Sequence, residues 1–338
     1  MLRQEQFIER HSREWDIFAR WLDTSAQRAR RLGVASSRQQ QWQDDLRDED
    51  MPAAYRRLCQ HLALAQKRGY GPHLQARLQS LMQRGHDVLY RTPPARGRAL
   101  LHMLGARFPQ QVRHEWRFML ASLLLFVIPL VGMFVLVLLR PEWIHSVFSP
   151  QQVANFESMY DPADALDRLG RDNGTDVEMF GHYVLNNISI GFRTFASGLL
   201  AGIGSALVLG LNGVMIGSVA GYLQAIGYGG PFWRFVAGHG AFELTAIVIS
   251  GGAGLLLGWA LLAPGRLSRR DALVDAGRRG GVLVCGAFAM LLVAAFIEAF
   301  WSSIGWMPGW VKFSVAAVLW SGVLLWLWRG GRGAAHAA

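Results

Sequence analysis

Four ionisable side chains interrupt runs that are otherwise apolar: Arg193, His239, Glu243 and Glu298, with Asn186, Asn187 and Asn212 as uncharged polar partners. A charge inside a bilayer is costly, so such residues pair with one another, line a wet route or bind a ligand. His239 and Glu243 stand at i and i+4 and share one face of a helix. Two carboxylates, an imidazole and a guanidinium can bind an ion, a proton or a lipid headgroup. The structural alternative is that Arg193 neutralises Glu243 or Glu298 and holds the helices together. Hydrolytic catalysis fits poorly. The order His239-Gly-Ala-Phe-Glu243 reverses the zinc-protease motif and lacks its second His. No Cys/His set, G-x-S-x-G elbow or phosphate-cradling loop occurs, and Cys59 and Cys285 have neither metal-ligand nor disulfide-framework spacing. The expectation is a non-enzymatic protein with no metal and no cofactor.

The elements that position these residues are membrane helices. Half of the 338 residues (51%) are hydrophobic and 17% are charged, against about 25% charged in a typical soluble chain. Phe118–Leu139 is a charge-free run of 22 residues bracketed by Arg117 and Arg140, long enough to cross a hydrocarbon core of about 30 Å. An external loop, 140–186, follows; Pro141 to Asn186 carries eight acidic residues against Arg168 and Arg171. From 187 to 328 the chain reads as a glycine-rich bundle of about five further spans. Two short segments, near Ile190–Leu209 and Val214–Ala225, meet at a turn at Leu211-Asn212-Gly213, or else form a re-entrant hairpin. The next spans are near Gly240–Leu262, Val282–Ile304 and Lys312–Trp328. Glu243 then lies about one turn into its span and His239 at that span's mouth.

Glycines recur every four residues at Gly198 and Gly202 and at Gly213, Gly217 and Gly221, with Gly254 and Gly258 in the following span. Such faces let helices approach closely, within one chain or along a homo-oligomer seam.

Arginine distribution orients the whole. Residues 264–281 carry five Arg against two Asp, and Arg329 and Arg332 open a tail over 329–338. Six spans put these, and the N-terminus, on the cytoplasmic side. The N-terminal 117 residues hold 21 Lys/Arg against 12 Asp/Glu. Helical periodicity of Phe7, Ile8, Trp15, Phe18, Trp21 and Leu22, then of Tyr55–Lys67 and Leu74–Tyr90, makes this a cytoplasmic helical domain, with breaks at Gly69–Pro72 and Pro93–Pro94. The net charge of +10 fits anionic lipid headgroups; no nucleic-acid-binding module accompanies it. The fold class is all-α, a polytopic bundle of about six spans with an N-terminal helical domain.

Several stretches together resemble the SpoIIM (stage II sporulation protein M) family. They are the Phe7…Trp15 helix, YRRLCQHLALA from Tyr55, RGHDVLY ending at Tyr90, Phe108–Pro109, Asn187, the run to Asn212-Gly213-x-x-x-Gly217, HGAFELTAIVISGGAGL from His239, and AAFIEAF around Glu298. The resemblance implies architecture more than activity: a founding member that is not an enzyme and works in a membrane complex with peptidoglycan-degrading partners. The large Arg-rich N-terminal domain resembles a branch from non-sporulating bacteria, encoded beside a MoxR-type AAA ATPase, a von Willebrand factor A-like protein and an RDD membrane protein. That implies envelope maintenance or stress tolerance. The leading expectation is a self-associating scaffold of the bacterial inner membrane that organises or deforms lipid, because short second and third spans would create hydrophobic mismatch. The competing expectation is a permease or channel-like protein whose Arg193–Glu243–Glu298 level lines a translocation route.

Overall fold

The computed structural model describes residues 2–30, 50–89, 96–163, 169–170 and 175–332, and among them the chain forms helices and no strand. Tyr90, Pro93, Pro94, Arg168 and Arg171 lie outside the described residues. The chain divides into two compact units, Met1–Arg96 and Gly97–Ala338.

The first unit contains α1 (Leu2–Arg30), α2 (Met51–Lys67) and α3 (Pro72–Leu89). Phe7, Trp15, Phe18 and Leu22 fall on one face of α1 and bury against Leu58, Leu62, Leu74, Leu78 and Leu81. The amphipathic faces thus cover one another in a core of their own. Gly69, with φ +62°, turns the chain between α2 and α3. Ion pairs Arg57–Glu14, Arg77–Asp16 and Arg84–Asp23 tie α1 to its neighbours. Their exposure limits each to less than about 1 kcal/mol.

The second unit opens with α4 (Arg96–His102), a π-helical turn and α5 (Phe108–His114), and continues into α6 (Trp116–Leu139). Then come α7 (Pro150–Met159), α8 (Asp176–Ala196), α9 (Ile203–Ala225), α10 (Gly229–Leu262), α11 (Arg269–Ile297) and α12 (Gly309–Arg329). Helix α6, α9, α10, α11 with its π-helical extension to Ser302, and α12 are long and apolar enough to cross a membrane.

Glycine contacts fix how these helices run. A Cβ at Gly213, Gly217 or Gly221 would strike the backbone of Phe126, Leu130 or Phe134 respectively, so α9 lies parallel to α6 at backbone contact. Gly251 and Gly252 meet Ser122 and Met119, so α10 runs the opposite way. Helix α8 descends beside α10, with Gly191 near Ser250 and Gly198 against Gly254. It spans the same height as the five apolar helices although His182, Asn186, Asn187, Ser189 and Arg193 lower its hydropathy. Helix α12 starts beside Arg234 and ends beside Pro109. Arg113 donates to the carbonyls of Leu327 and Gly330, at 2.5 and 2.6 Å. The start of α6 and the end of α12 therefore share one end of the bundle.

Three expectations are corrected here. The turn expected at Asn212-Gly213 does not exist: α9 runs through both, and Asn212 Nδ2 donates to Val208 O at 2.8 Å within the helix. The chain reverses earlier, where Ala201 (φ 53°) and Gly202 (φ +83°) both adopt left-handed backbone. A Cβ at Gly258 would overlap Gly202, so the reversal is pressed onto α10 at a glycine pair. Helices α8 and α9 hold 21 and 23 residues, about 31 and 35 Å. Neither is short, which removes the expected mismatch. The start expected near Gly240 for the fourth span is also late by about three turns, since α10 begins at Gly229 and runs 34 residues.

Candidate functional site: a buried ionisable centre

His239 and Glu243 share one face of α10, because i and i+4 residues stack along a helix. Glu298 and Ser302 reach the same point from the π-helical turn Glu298–Ser302 that ends α11; such widened turns recur at functional sites. One ligand-type atom from each of His239, Glu243 and Glu298 lies within 4.8 Å of the others. His239 is 3% exposed; its Nδ1 is 2.9 Å from Ser302 Oγ and its Nε2 3.7 Å from Glu243 Oε2. The second distance exceeds a hydrogen bond. Asn187 of α8, 1% exposed, donates from Nδ2 to Glu298 Oε2 at 3.4 Å.

A cation completes the group. Lys312, 2% exposed in the first turn of α12, donates from Nζ to the Ser302 carbonyl at 2.6 Å. Counting the α10–α6 register outward from Gly251 and Ser122 brings Glu243 level with about Leu130, near the middle of α6. The centre therefore lies deeper than a span beginning at Gly240 would have put it.

Above it sits a roof from the segment between α6 and α8. Tyr160, Leu169 and Tyr183 are buried with Phe232 and Phe235. Leu169 N–H donates to Ser303 O at 3.0 Å and Gly170 N–H to Met159 O at 3.1 Å. Gly170 has φ +72°, and a Cβ there would come 2.6 Å from the Phe235 ring; Phe235 in turn packs edge-on to the His239 imidazole at 5.1 Å. Burial above all, then the nearby carboxylate of Glu298, holds the Tyr160 phenol far above its ordinary range, so it stays a neutral donor. Arg234 NH2 donates to the carbonyls of Gly305 and Met307 and ties down the α11–α12 connection.

Of the residues expected to act together, Asn187, His239, Glu243 and Glu298 meet here. Arg193 does not. It is exposed on α8 and its Nε donates to Ser189 O at 3.3 Å in its own helix. Arg193 follows Asn187 by six residues, which turns it to another face of the helix. Lys312, Ser302, Tyr160 and Gly170 are additional members. A lone lysine heading an apolar run is the one signal among these that the sequence carries; the roof is formed by tertiary contact alone. The glycines Gly198, Gly202, Gly213, Gly217, Gly221, Gly254 and Gly258 all serve contacts within the chain.

A second ligand-type grouping, His11, Glu14 and His61, lies in the first unit. There Trp15 Nε1–H donates to His61 Nδ1 at 3.1 Å, which puts the neutral ring's proton on Nε2 and leaves that nitrogen a donor.

Carboxylate oxygens of Glu243 and Glu298 lie within 4.8 Å of each other, and two like charges that close inside a bundle repel unless one proton or one cation is shared between them.

A family model described as Domain of unknown function (DUF8413) matches residues 5–91, the first unit. No curated protein and no solved structure matches the chain. The model of Stage II sporulation protein M matches residues 121–303, which takes in α6 through the π-helical turn, with Asn187, His239, Glu243, Glu298 and Ser302 but not Lys312. With apolar helices of membrane-crossing length and more than half of its residues within that match, this integral membrane protein belongs to the SpoIIM family.

Proposed function

We propose that the chain is a multi-pass protein of the bacterial inner membrane that works without catalysis, by holding one positive charge, a proton or a monovalent cation, on the Glu243–Glu298 pair. The observation that carries this is the closeness of the two carboxylates: an oxygen of Glu243 and one of Glu298 lie within 4.8 Å of each other, beside the buried His239, inside the bundle. Buried ionisable groups at membrane depth are costly, and binding is a reason to keep them. SpoIIM is not a known enzyme family. Both termini are assigned to the cytoplasm. The support is that the Arg-rich 264–281 loop lies at the end of the bundle shared by the start of α6 and the end of α12, as the positive-inside rule asks.

Its wider role is that of a scaffold in envelope maintenance, self-associating and meeting a MoxR-type AAA ATPase, a von Willebrand factor A-like protein and an RDD membrane protein. This rests on the family resemblance, and the N-terminal unit, with its own core and ion-paired surface, offers a soluble docking module. Gly198, Gly202, Gly213, Gly217, Gly221, Gly254 and Gly258 make contacts within the chain, so self-association would use other positions.

The test is infrared difference spectroscopy of the protein in lipid nanodiscs, combined with thermal melting across sodium and potassium concentrations. A protonated-carboxyl band lost in Glu243→Gln or Glu298→Gln, or cation-dependent stabilisation lost in those variants, is the expected result. Neither signal in the wild type would overturn the reading.

A further inference from the structure

We infer that the outward face of α8 is a wet lateral groove through which the proton or monovalent cation reaches Glu298, opening toward the end of the bundle that carries α7. The inference rests on the Glu243–Glu298 reading above. His182, Asn186, Ser189 and Arg193 follow one another at helical spacing on this face, and all four are exposed. With Leu185 and Phe192 they line a groove of about 550 Å³. Helix α8 crosses the height of the apolar helices, so hydrocarbon would have to cover this stripe, and hydrocarbon offers these groups no partner. Water does.

Polar contact passes from the groove to the centre through two consecutive asparagines. Asn186, exposed in the groove, donates from Nδ2 to Asn187 Oδ1 at 3.2 Å. Asn187, buried, donates to Glu298 Oε2 at 3.4 Å. Successive helical residues point about 100° apart, so the pair bridges the outer and inner faces of one helix. No other polar side chain joins the exposed surface of α8 to Glu298 among the described hydrogen bonds.

The groove is electrostatically one-sided. Arg193 stands at its far end, beside Thr194, whose carbonyl accepts from Ser205 at the α8–α9 reversal. A fixed positive charge there repels a cation or hydronium approaching from that side. At the opposite end stands His182, one turn beyond the Thr175–Glu178 capping box that starts α8. The arriving charge then ends on a Glu298 oxygen; for a proton, hydronium gives it up and leaves water.

Thiol labelling tests this in the full-length protein. In a Cys59→Ser, Cys285→Ser background, single cysteines are placed by Asn186→Cys, Ser189→Cys and, as a lipid-facing control on α9, Leu211→Cys. A charged, membrane-impermeant methanethiosulfonate is added to right-side-out spheroplasts. Only a hydrated thiol ionises readily, so the groove positions should react at least about tenfold faster than Leu211→Cys. Reaction no faster than the control, or from the cytoplasmic side alone, would overturn the groove. Asn186→Leu should slow deuterium exchange of the buried carboxyl, or cation-dependent stabilisation, by about tenfold. A reactive groove with unchanged kinetics in Asn186→Leu would overturn the link to Glu298. Loss of the Glu298 signal itself in wild type would instead fail the binding reading while leaving the labelling result to stand or fall alone.

Discussion

Lys312 Nζ donates to the Ser302 carbonyl, whose own side chain meets His239 Nδ1 at 2.9 Å, so the ammonium of α12 is one residue removed from the imidazole of α10. An ammonium that is 2% exposed is held there by the Ser302 carbonyl. Removing it by Lys312→Met takes a buried positive charge out of the bundle and leaves that carbonyl without its donor. The expected result is a lowered melting temperature in detergent. Wild-type melting of Lys312→Met would show that the ammonium plays no part in the stability of the bundle.

The glycines permit a sharper contrast, because identical chemistry should have opposite effects at two positions of neighbouring helical segments. A side chain at Gly198 would overlap the backbone of Gly254, which cannot yield, whereas at Gly210 of α9 nothing lies within 4 Å. Gly198→Ala should abolish or severely reduce folded yield. Gly210→Ala should be neutral or stabilising by up to about 1 kcal/mol, the helix-propensity gain. Equal yields from the two would mean that α8 and α10 are not in backbone contact.

The membrane architecture was legible because apolar runs and arginines report it directly. The 22-residue run at Phe118–Leu139 matches α6 to within two residues. His239, Glu243 and Glu298 stood out for a related reason: a charge in an apolar run has few bland explanations. What misled was local turn chemistry. Asn212-Gly213 has the composition of a turn, yet Gly213 is a contact point against Phe126 and Asn212 folds its amide back onto Val208. The true reversal uses Ala201, a residue with no turn signature, in left-handed backbone. Arg193 misled because depth along a helix can be counted from sequence while the facing direction depends on neighbours. The roof over the centre pairs Leu169 with Ser303, a contact between distant segments with no periodicity to announce it.

In the first unit, pH should act through His61. Burial above all, then the neighbouring His11, pushes its imidazole below the ordinary 6.5. A depressed folded value means that the unfolded chain takes up its proton first as pH falls. The stability is therefore fully present above about pH 6.5 and is lost on acidification from there toward the folded value. Protonation also removes the Nδ1 lone pair that accepts from Trp15. Hydrogen exchange of α2 amides, corrected for intrinsic rates, should show protection decreasing from pH 7 to about pH 5. His61→Gln should flatten that dependence. An unchanged slope in His61→Gln would assign the effect to other groups.

The roof can be loosened without touching a charged residue. Gly170 combines left-handed backbone, φ +72°, with a Phe235 ring that a Cβ would approach to 2.6 Å. Gly227 has the same backbone requirement, φ +89°, with nothing within 4 Å. Alanine costs about 1–2 kcal/mol at either position through backbone strain. Gly170→Ala alone adds the collision, which must displace either the Leu169–Gly170 strap or the Phe235 ring that packs on His239. Exchange of the amides around Ser302 and Ser303 should therefore accelerate in Gly170→Ala and stay near wild type in Gly227→Ala. The same variant should admit water to Glu298 from above and weaken the dependence of the centre on Asn186. Should both alanines give the same exchange pattern, Phe235 would not be what seats the roof, and the centre would be closed by the helices alone.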